Sequence, residues 1–381
     1  MVNNFTKKIF FYCCPPSPPE SKKTVYQHTI VCLAEGLKSL GIPFYADRNF
    51  WQIAPDGKEY LFKHDPKVTP DDCSIVILHT AWFTYGNPIP EKLFHAKRNY
   101  ITVYFESEAD AKHAWKPEFR QFDFIFRTHY NRRFRYPNNF HPWAFGLSNR
   151  ILRETEILPS FSERNRKLVV NFRLGHPIRK AIQEEFLPRL QTVLPIDDTV
   201  DSAKVPPTDP YAYLQWVQTD RRHYPKYYKR LRESAACACF GGLLINPWPL
   251  DAFGPSNLWD RIVNKFLGTF DSKPRRIMNW ESWRFWEAMA AGCVAFHVDF
   301  DKYGVCLPVM PENWRHYIGI DLENMQAAID RLAEEPEILE KISLEGRQWA
   351  LEHYSPVPTA VRFLETVSGA PSTPKPMHVE S

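Results

Sequence analysis

The chain is predicted to be an α/β protein of two domains, each built on an open, mostly parallel sheet. Three observations carry this expectation. Short apolar runs recur in the first half, SIVILHTAWF from 74, YITVYFES from 100 and FDFIFRTHY from 122, and each gives way at once to polar residues, as strands buried on both faces do. A well-bounded β-α-β unit precedes them over residues 8–45. A second strand series starts at KLVVNF, 167–172, beyond a proline-broken stretch, and 381 residues exceed the size of one ordinary domain.

In order, KIFFYCC (8–14) reads as a short buried strand, and PPSPPESKK as a loop, because its prolines lack backbone donors. The following helix is expected to open on a capping box, Thr24 with Gln27. Tyr26, Ile30, Leu33, Leu37 and Leu40 then recur at helical spacing, Gly41 closes the helix, and IPFYA resumes as a strand. Residues 139–166, where prolines and polar side chains break the strand rhythm, read as the crossing between domains. Beyond it come a long aromatic helical candidate (YAYLQWVQ, then YPKYYKRLRESAA), the apolar run ACACFGGLLI and an irregular segment, 246–276. The FGG within that run suits a tight bend. From 279 the pattern is a helix capped by Asn279 and ending at Gly292, the strand CVAFHV, the short strand IGIDL, and helices over 325–335 and 336–354. The expected division is 1–150, 151–365 and a disordered tail, 366–381.

A net charge of +4 with no long one-sign block argues against a nucleic-acid partner. Two basic clusters stand out, Arg132, Arg133 and Arg135, and the run Arg221 to Arg232 interleaved with Tyr224, Tyr227 and Tyr228. They read first as solvated faces, with a phosphate or anionic membrane surface as the alternative. The eight cysteines never take C-x-x-C spacing, which argues against zinc ribbons, and Cys32, Cys293 and Cys306 sit in apolar runs as buried small hydrophobes of a reducing compartment would. The apolar run at the start is too short for a signal peptide and no stretch has the length of a membrane span, so a cytoplasmic protein, with peripheral contact at the inner face of the membrane as a variant, is expected.

The stretch WEAMAAGCVAFHVDFDKYG, 286–304, holds two candidate sites. Glu287 follows Arg284 by three residues, so an ordinary helix-surface ion pair is one reading of it. Asp299 and Asp301 flank one residue after a strand, a pattern that can ligate a divalent cation, although most such triplets are loop carboxylates with no ligand.

Glu287-Ala-Met-Ala-Ala-Gly-Cys-Val, followed by a hydrophobic strand and a loop, resembles the E-A-M-A-x-G element of GT-B glycosyltransferases, and residues 279–365 are similar to that group's ending, including a terminal helix that crosses back. The resemblance implies two Rossmann-like domains facing each other across a cleft, an N-terminal one for the acceptor and a C-terminal one for a nucleotide-sugar donor. It implies that Glu287 accepts hydrogen bonds from the donor's ribose hydroxyls. KLVVNFRLGHPIRK resembles the strand and basic loop that neutralise the donor diphosphate, which points to Arg173 and, more loosely, Arg179 or Lys180. Asn279 and Ser282, at the start of the Glu287 helix, stand where they can offer donors to the same phosphates. The group's second glutamate, eight residues before the first, is replaced here by Asn279, with Glu281 nearby.

No dinucleotide fingerprint, P-loop, G-x-S-x-G or H-E-x-x-H motif is present. For a base that takes the acceptor's proton, position alone selects Glu106 and His79, with Glu108 and His129 behind them. The expected function is metal-independent transfer of a hexose-type sugar from a nucleotide-sugar to a hydroxyl on a glycan, lipid-linked or protein acceptor, in carbohydrate biosynthesis. No cofactor is expected besides the nucleotide-sugar co-substrate. The alternatives are a nucleotide-sugar epimerase of the same architecture and a non-catalytic nucleotide- or sugar-binding protein.

Overall fold

The computed structural model describes residues 8–15, 26–107, 114, 116–199, 205–245 and 276–369. Thr24, Glu108, most of the proline-rich loop, the segment 246–275 and the tail beyond 369 lie outside them. In chain order the first half holds β1 (Ile9–Phe11), α1 (His28–Ser39), β2 (Phe44–Ala46), the antiparallel pair β3 (Phe50–Gln52) and β4 (Tyr60–Phe62), then β5 (Ile75–His79), α2 (Thr80–Tyr85), β6 (Ile101–Glu106), β7 (Phe124–Arg127) and β8 (Phe140–Pro142). Six of these strands form one parallel sheet in the order β2-β1-β5-β6-β7-β8. Burial of β1 and β5 along their whole length explains why they read as unbroken apolar runs.

The second half begins with α3 (Asn149–Glu154) and β9 (Asn165–Val169), followed by α4 (Pro177–Ala181), α5 (Leu187–Leu190), β10 (Ile196–Asp197), α6 (Pro210–Gln218), α7 (Pro225–Arg232), β11 (Ser234–Ala238), β12 (Leu243–Ile245), β13 (Arg276–Met278), α8 (Trp283–Ala290), β14 (Val294–Val298), β15 (Ile318–Ile320), α9 (Met325–Glu334), α10 (Ile338–Tyr354) and α11 (Pro356–Val367). Its five-stranded parallel sheet runs β10-β9-β11-β14-β15. Helix α10 is long because Leu339, Ile342, Gly346, Trp349, Ala350 and Tyr354 keep one face buried through its turns. Helix α11 leaves this half and packs on α1, where Ala360, Phe363, Leu364 and Val367 join the core of the first sheet. A Cβ on Gly36 of α1 would lie 2.0 Å from the carbonyl oxygen of Pro356. Gly36→Ala is therefore expected to lower stability by about 1–3 kcal/mol, read as a fall in the urea midpoint.

Several expectations need correction. Helix α1 starts at His28, and the Gln27 side chain does not complete a capping box: it accepts from Cys14 N at 3.0 Å and donates to Cys14 O at 2.8 Å. The aromatic helical candidate is two helices. The side chain of Asp209 caps α6 by accepting from Ala212 N at 2.8 Å, Asp220 and Arg221 both take positive φ, and Pro225 opens α7. Asn279 does not cap α8. It bends the chain at φ 52°, a conformation asparagine tolerates, and Ser282 is the cap. The intervening residues are claimed by the first half of the chain, since Trp280 Nε1 donates to Tyr130 O at 3.1 Å and Glu281 N donates to His129 Nδ1 at 3.0 Å.

The first basic cluster belongs to the same seam. Arg132 reaches Asp301 O at 3.0 Å and its carboxylate at 3.2 Å, and Arg133 donates to Lys302 O. The bend expected at FGG is present: Gly242 has φ 107°, and a Cβ there would meet Ile277 and Met278. Among the described residues no helix is long and apolar enough to cross a membrane.

Candidate active site

A cleft of about 550 Å³ opens where the carboxyl ends of the two sheets meet. Open parallel sheets bind ligands at this end because loops and helix N-termini converge there. From the first half come His28 at the start of α1, His79 ending β5, Ser107 after β6 and His129 beyond β7. From the second come His176 and Arg179 after β9, Arg222 from the turn between α6 and α7, and Asn279, Glu281, Ser282 and Arg284 at the start of α8.

Hydrogen bonds fix the histidine tautomers. His79 Nδ1 accepts from Ala81 N at 3.0 Å, so its proton sits on Nε2 and is donated to Ser107 Oγ at 3.1 Å. His129 Nδ1 accepts from Glu281 N at 3.0 Å, and His176 Nδ1 from Gly242 N at 3.1 Å. His28 Nδ1 accepts from Tyr26 OH at 2.6 Å while Nε2 donates to Gly146 O at 3.1 Å. Burial pulls His28 and His79 down to about 3 and His129 well below its usual value. These rings are therefore neutral N–H donors at pH 7, and a ring whose Nδ1 is already accepting cannot take a proton from an acceptor.

The cationic side is built by arginines. Arg179 Nε donates to Phe240 O at 2.6 Å and Nη1 to Arg173 O at 3.2 Å, which fixes its guanidinium at the cleft wall. Burial and then the neighbouring Arg284 lower Arg179 to about 10. Desolvation also lowers Arg222, while Asp220 opposes the shift. The one acidic group among the described lining residues is Glu281, which burial raises to about 8. Its Oε1 accepts from Phe145 N at 2.6 Å and Trp286 Nε1 at 2.8 Å, while Oε2 has no partner. At pH 7 the described lining is thus three guanidiniums, neutral N–H donors and a protonated carboxyl. Ser282, 4% exposed, adds a hydroxyl without a partner at the α8 N-terminus.

The structure brings His79, Arg179, Asn279 and Ser282 together in this cleft. Arg173 is exposed beyond the lining, and Lys180 is exposed and pairs with Glu184 at 3.8 Å. Glu106 is fully buried and outside the cleft lining, its carboxylate accepting from Thr80 Oγ1 at 3.1 Å, Tyr104 OH at 3.2 Å and Ala114 N at 3.3 Å. Glu287 stands outside the cleft lining, 6% exposed. Its Oε1 accepts from Tyr228 OH at 2.7 Å and lies 3.9 Å from Arg150, so the expected surface pairing with Arg284 is replaced by a buried network. The small residues ending α8 make room for a side chain of this protein: Arg164 donates to Ala291 O at 2.9 Å and Gly292 O at 2.5 Å. In the Asp-Phe-Asp triplet, Asp299 accepts from Lys302 N and Asn313 Nδ2, and Asp301 pairs with Arg132.

With this geometry in view, solved structures of the same architecture can be compared. An α-glucosyltransferase in complex with UDP and a 13-mer DNA aligns over 95% of this chain and 98% of its own at 10% identity, with a TM-score of 0.52. A second complex of an α-glucosyltransferase with UDP and DNA, holding a central A:G mismatch, gives a TM-score of 0.50 at 10% identity over 95% of this chain and all of that one. AviGT4, a glycosyltransferase involved in avilamycin A biosynthesis, gives 0.50 at 12% identity over 95% and 97%. The fold is GT-B. No family model and no curated protein sequence matches the chain. The exclusion of nucleic acid as a partner has to be corrected, because two of these GT-B structures hold DNA. A small net charge counts all residues together and says nothing about how cations are gathered in one cleft.

Sequence reasoning missed His28, His176, Arg222 and Arg284 as cleft residues. The signal for His176 lay in the same loop as Arg179, and that for Arg222 in a basic run that reads as a helix face until the turn at Asp220 is seen.

The buried groups also set the pH dependence of stability. Glu281 and the buried Glu35 hold their protons in the fold up to about pH 8, but lose them near 4.5 when unfolded, so stability declines between those values as pH rises. His28, His79, His129 and the buried His297 stay neutral in the fold while the unfolded chain binds protons below 6.5, so stability declines as pH falls below that value. Four histidines outweigh two carboxyls, at about 1.4 kcal/mol per pH unit for each group. The denaturation midpoint is expected to peak near pH 6.5, and Glu281→Gln to flatten the alkaline limb.

Proposed function

We propose that the protein is a glycosyltransferase that binds a nucleotide-sugar in the cleft between residues 1–150 and 151–365 and passes the sugar to a hydroxyl acceptor without a metal ion. The observation that carries this reading is the convergence of Arg179, Arg222 and Arg284 on a cleft whose one described acidic group is held neutral. Three guanidiniums, of which Arg222 alone has a carboxylate beside it among the described residues, Asp220 at 4.0 Å, leave a cationic wall that suits a polyanion, and the α8 N-terminus and Ser282 add donors of the same sense. A diphosphate leaving from a sugar gathers negative charge as the glycosidic bond breaks, and fixed cations stabilise that charge most when water is excluded. The UDP in the two α-glucosyltransferase structures supports a uridine donor as the first to test.

The sugar is proposed to lie toward His129, whose Nε2–H suits a hydroxyl oxygen, and Ser107, whose hydroxyl is oriented by His79. The acceptor class stays broad, with nucleic acid restored beside glycan, lipid and protein. An epimerase would need several carboxylates in the cleft, and the described lining offers one, in its neutral form. The test is product analysis. Incubation with UDP-, GDP- and ADP-sugars in EDTA, with and without pooled glycan, lipid and DNA acceptors, should release a nucleoside diphosphate that depends on an acceptor. Recovery of an isomerised nucleotide-sugar without release would replace transfer by epimerisation, and no change in any donor would remove the enzymatic reading.

A further inference from the structure

Away from the cleft, a cavity of about 420 Å³ opens between α1, the β3–β4 hairpin and α6, within the range of about 300–1,000 Å³ usual for small-molecule sites. Two buried polar atoms on residues of its wall have no partner: Gln215 Oε1, on a residue 2% exposed, and Arg150 Nε, on one 3% exposed. Such atoms are rare in folded proteins, and each asks for a ligand or a water. One accepts and the other donates, the two capacities that a hydroxyl group joins in one atom.

The charges nearby are already matched. Lys38 pairs with Glu59 at 3.0 Å and Arg150 stands 3.9 Å from Glu287. Glu35 accepts from Asn149 N at 2.7 Å, and burial keeps it protonated up to about pH 8. Trp51 and Tyr211 contribute rings to the wall, and Trp51 is held at φ 61°, a backbone conformation that bulky residues adopt only under the demand of their surroundings. Arg153 covers one face of Tyr211 at 3.9 Å and Tyr26 stacks on Trp51 at 6.1 Å, so each ring is held in place, and aromatic rings beside hydrogen-bonding groups suit the two sides of a pyranose.

We propose that this cavity is a second binding site, for a neutral sugar ring, supplied by the acceptor glycan or by a free sugar effector, and that its occupancy is felt in the cleft through Arg150. Arg150 Nη1 donates to Tyr228 OH at 2.7 Å, and Tyr228 donates in turn to Glu287. Arg150 Nη2 donates to Tyr26 OH at 3.4 Å, and Tyr26 lines the cleft. The binding claim stands apart from the reading of the cleft, whereas the coupling rests on it.

Saturation-transfer NMR on the full chain with glucose, mannose, N-acetylglucosamine, maltose and cellobiose should show transfer to at least one sugar. The signal should persist in Arg179→Glu and vanish in Gln215→Leu and in Ile53→Trp, which fills the cavity from its rim, with circular dichroism verifying that each variant is folded. Transfer to a monosaccharide assigns an effector, and transfer to a disaccharide alone assigns an acceptor unit. Saturating sugar should change the affinity for UDP by about fivefold or more, and Gln215→Leu should remove that change while still binding UDP. No transfer to any sugar, an unchanged signal in both cavity variants, or a signal lost in Arg179→Glu would overturn the site. Unaltered UDP affinity at saturating sugar would overturn the coupling alone. Failure of the wild type to bind UDP bears on the cleft and leaves the sugar result standing.

Discussion

Arg179→Ala is expected to lower kcat/KM for release of nucleoside diphosphate by about 10²–10³-fold, the usual cost of removing one preorganised donor from developing negative charge. The side chain is built for that duty. Two backbone carbonyls, of Phe240 and Arg173, hold its Nε and Nη1, and the Phe172 ring lies 5.6 Å from the guanidinium carbon. A guanidinium so fixed loses little freedom when a phosphate arrives. Lysine should restore only part of the rate, because an ammonium keeps the charge without the planar fork. Steady-state kinetics on the two variants checks this, and unchanged kcat/KM in Arg179→Ala would place the diphosphate elsewhere.

Glu287→Ala is expected to cost about 3–5 kcal/mol of stability, since removing one partner of a buried pair strands the other charge. Arg150 and Glu287 are almost wholly enclosed, and Tyr228 bridges them through its hydroxyl. The urea midpoint measures the effect. Glu287→Gln keeps an acceptor for Tyr228 and should recover part of the loss. If Glu287 also takes the ribose hydroxyls, as the resemblance implies, the glutamine variant will show a raised KM for donor beyond its loss of stability. Full stability in Glu287→Ala would show the buried network to be dispensable.

Most strands of both sheets were legible because burial on two faces leaves unbroken apolar runs, as at β5 and β14, whereas β8, inside the stretch read as the crossing between domains, and the two-residue β10 were not. The hairpin β3–β4 was not, since Gln52 interrupts the first strand and YLF lies between Glu59 and Lys63, so neither stands in a longer unbroken apolar run. At the site, His79 could be selected from its place after a strand, Asn279 and Ser282 from theirs beside a helix start, and Arg179, as an alternative to Lys180, from the resemblance of its loop. Arg222 and His28 could not, because the turn at Asp220 and the approach of α1 to the second half are tertiary facts. Glu106 illustrates the converse. The end of a strand marks the right height in the sheet, but the carboxylate is fully buried and bonded to Thr80, which lines the cleft, and to Tyr104, and a strand pattern does not show such enclosure. The helix expected from Asn279 failed for a similar reason, because hydrogen bonds to Tyr130 and His129 hold residues 280 and 281 out of it.

The central claim is that the arginines of this cleft hold a nucleoside diphosphate without a metal ion. Calorimetric titration of UDP, GDP and ADP into the full chain in EDTA tests it most directly, with Arg179→Glu and Arg284→Glu as controls. Saturable binding of at least one nucleotide, kept in EDTA and lost in both variants, is the predicted result. No binding of any of the three, or binding that disappears with EDTA, would contradict it.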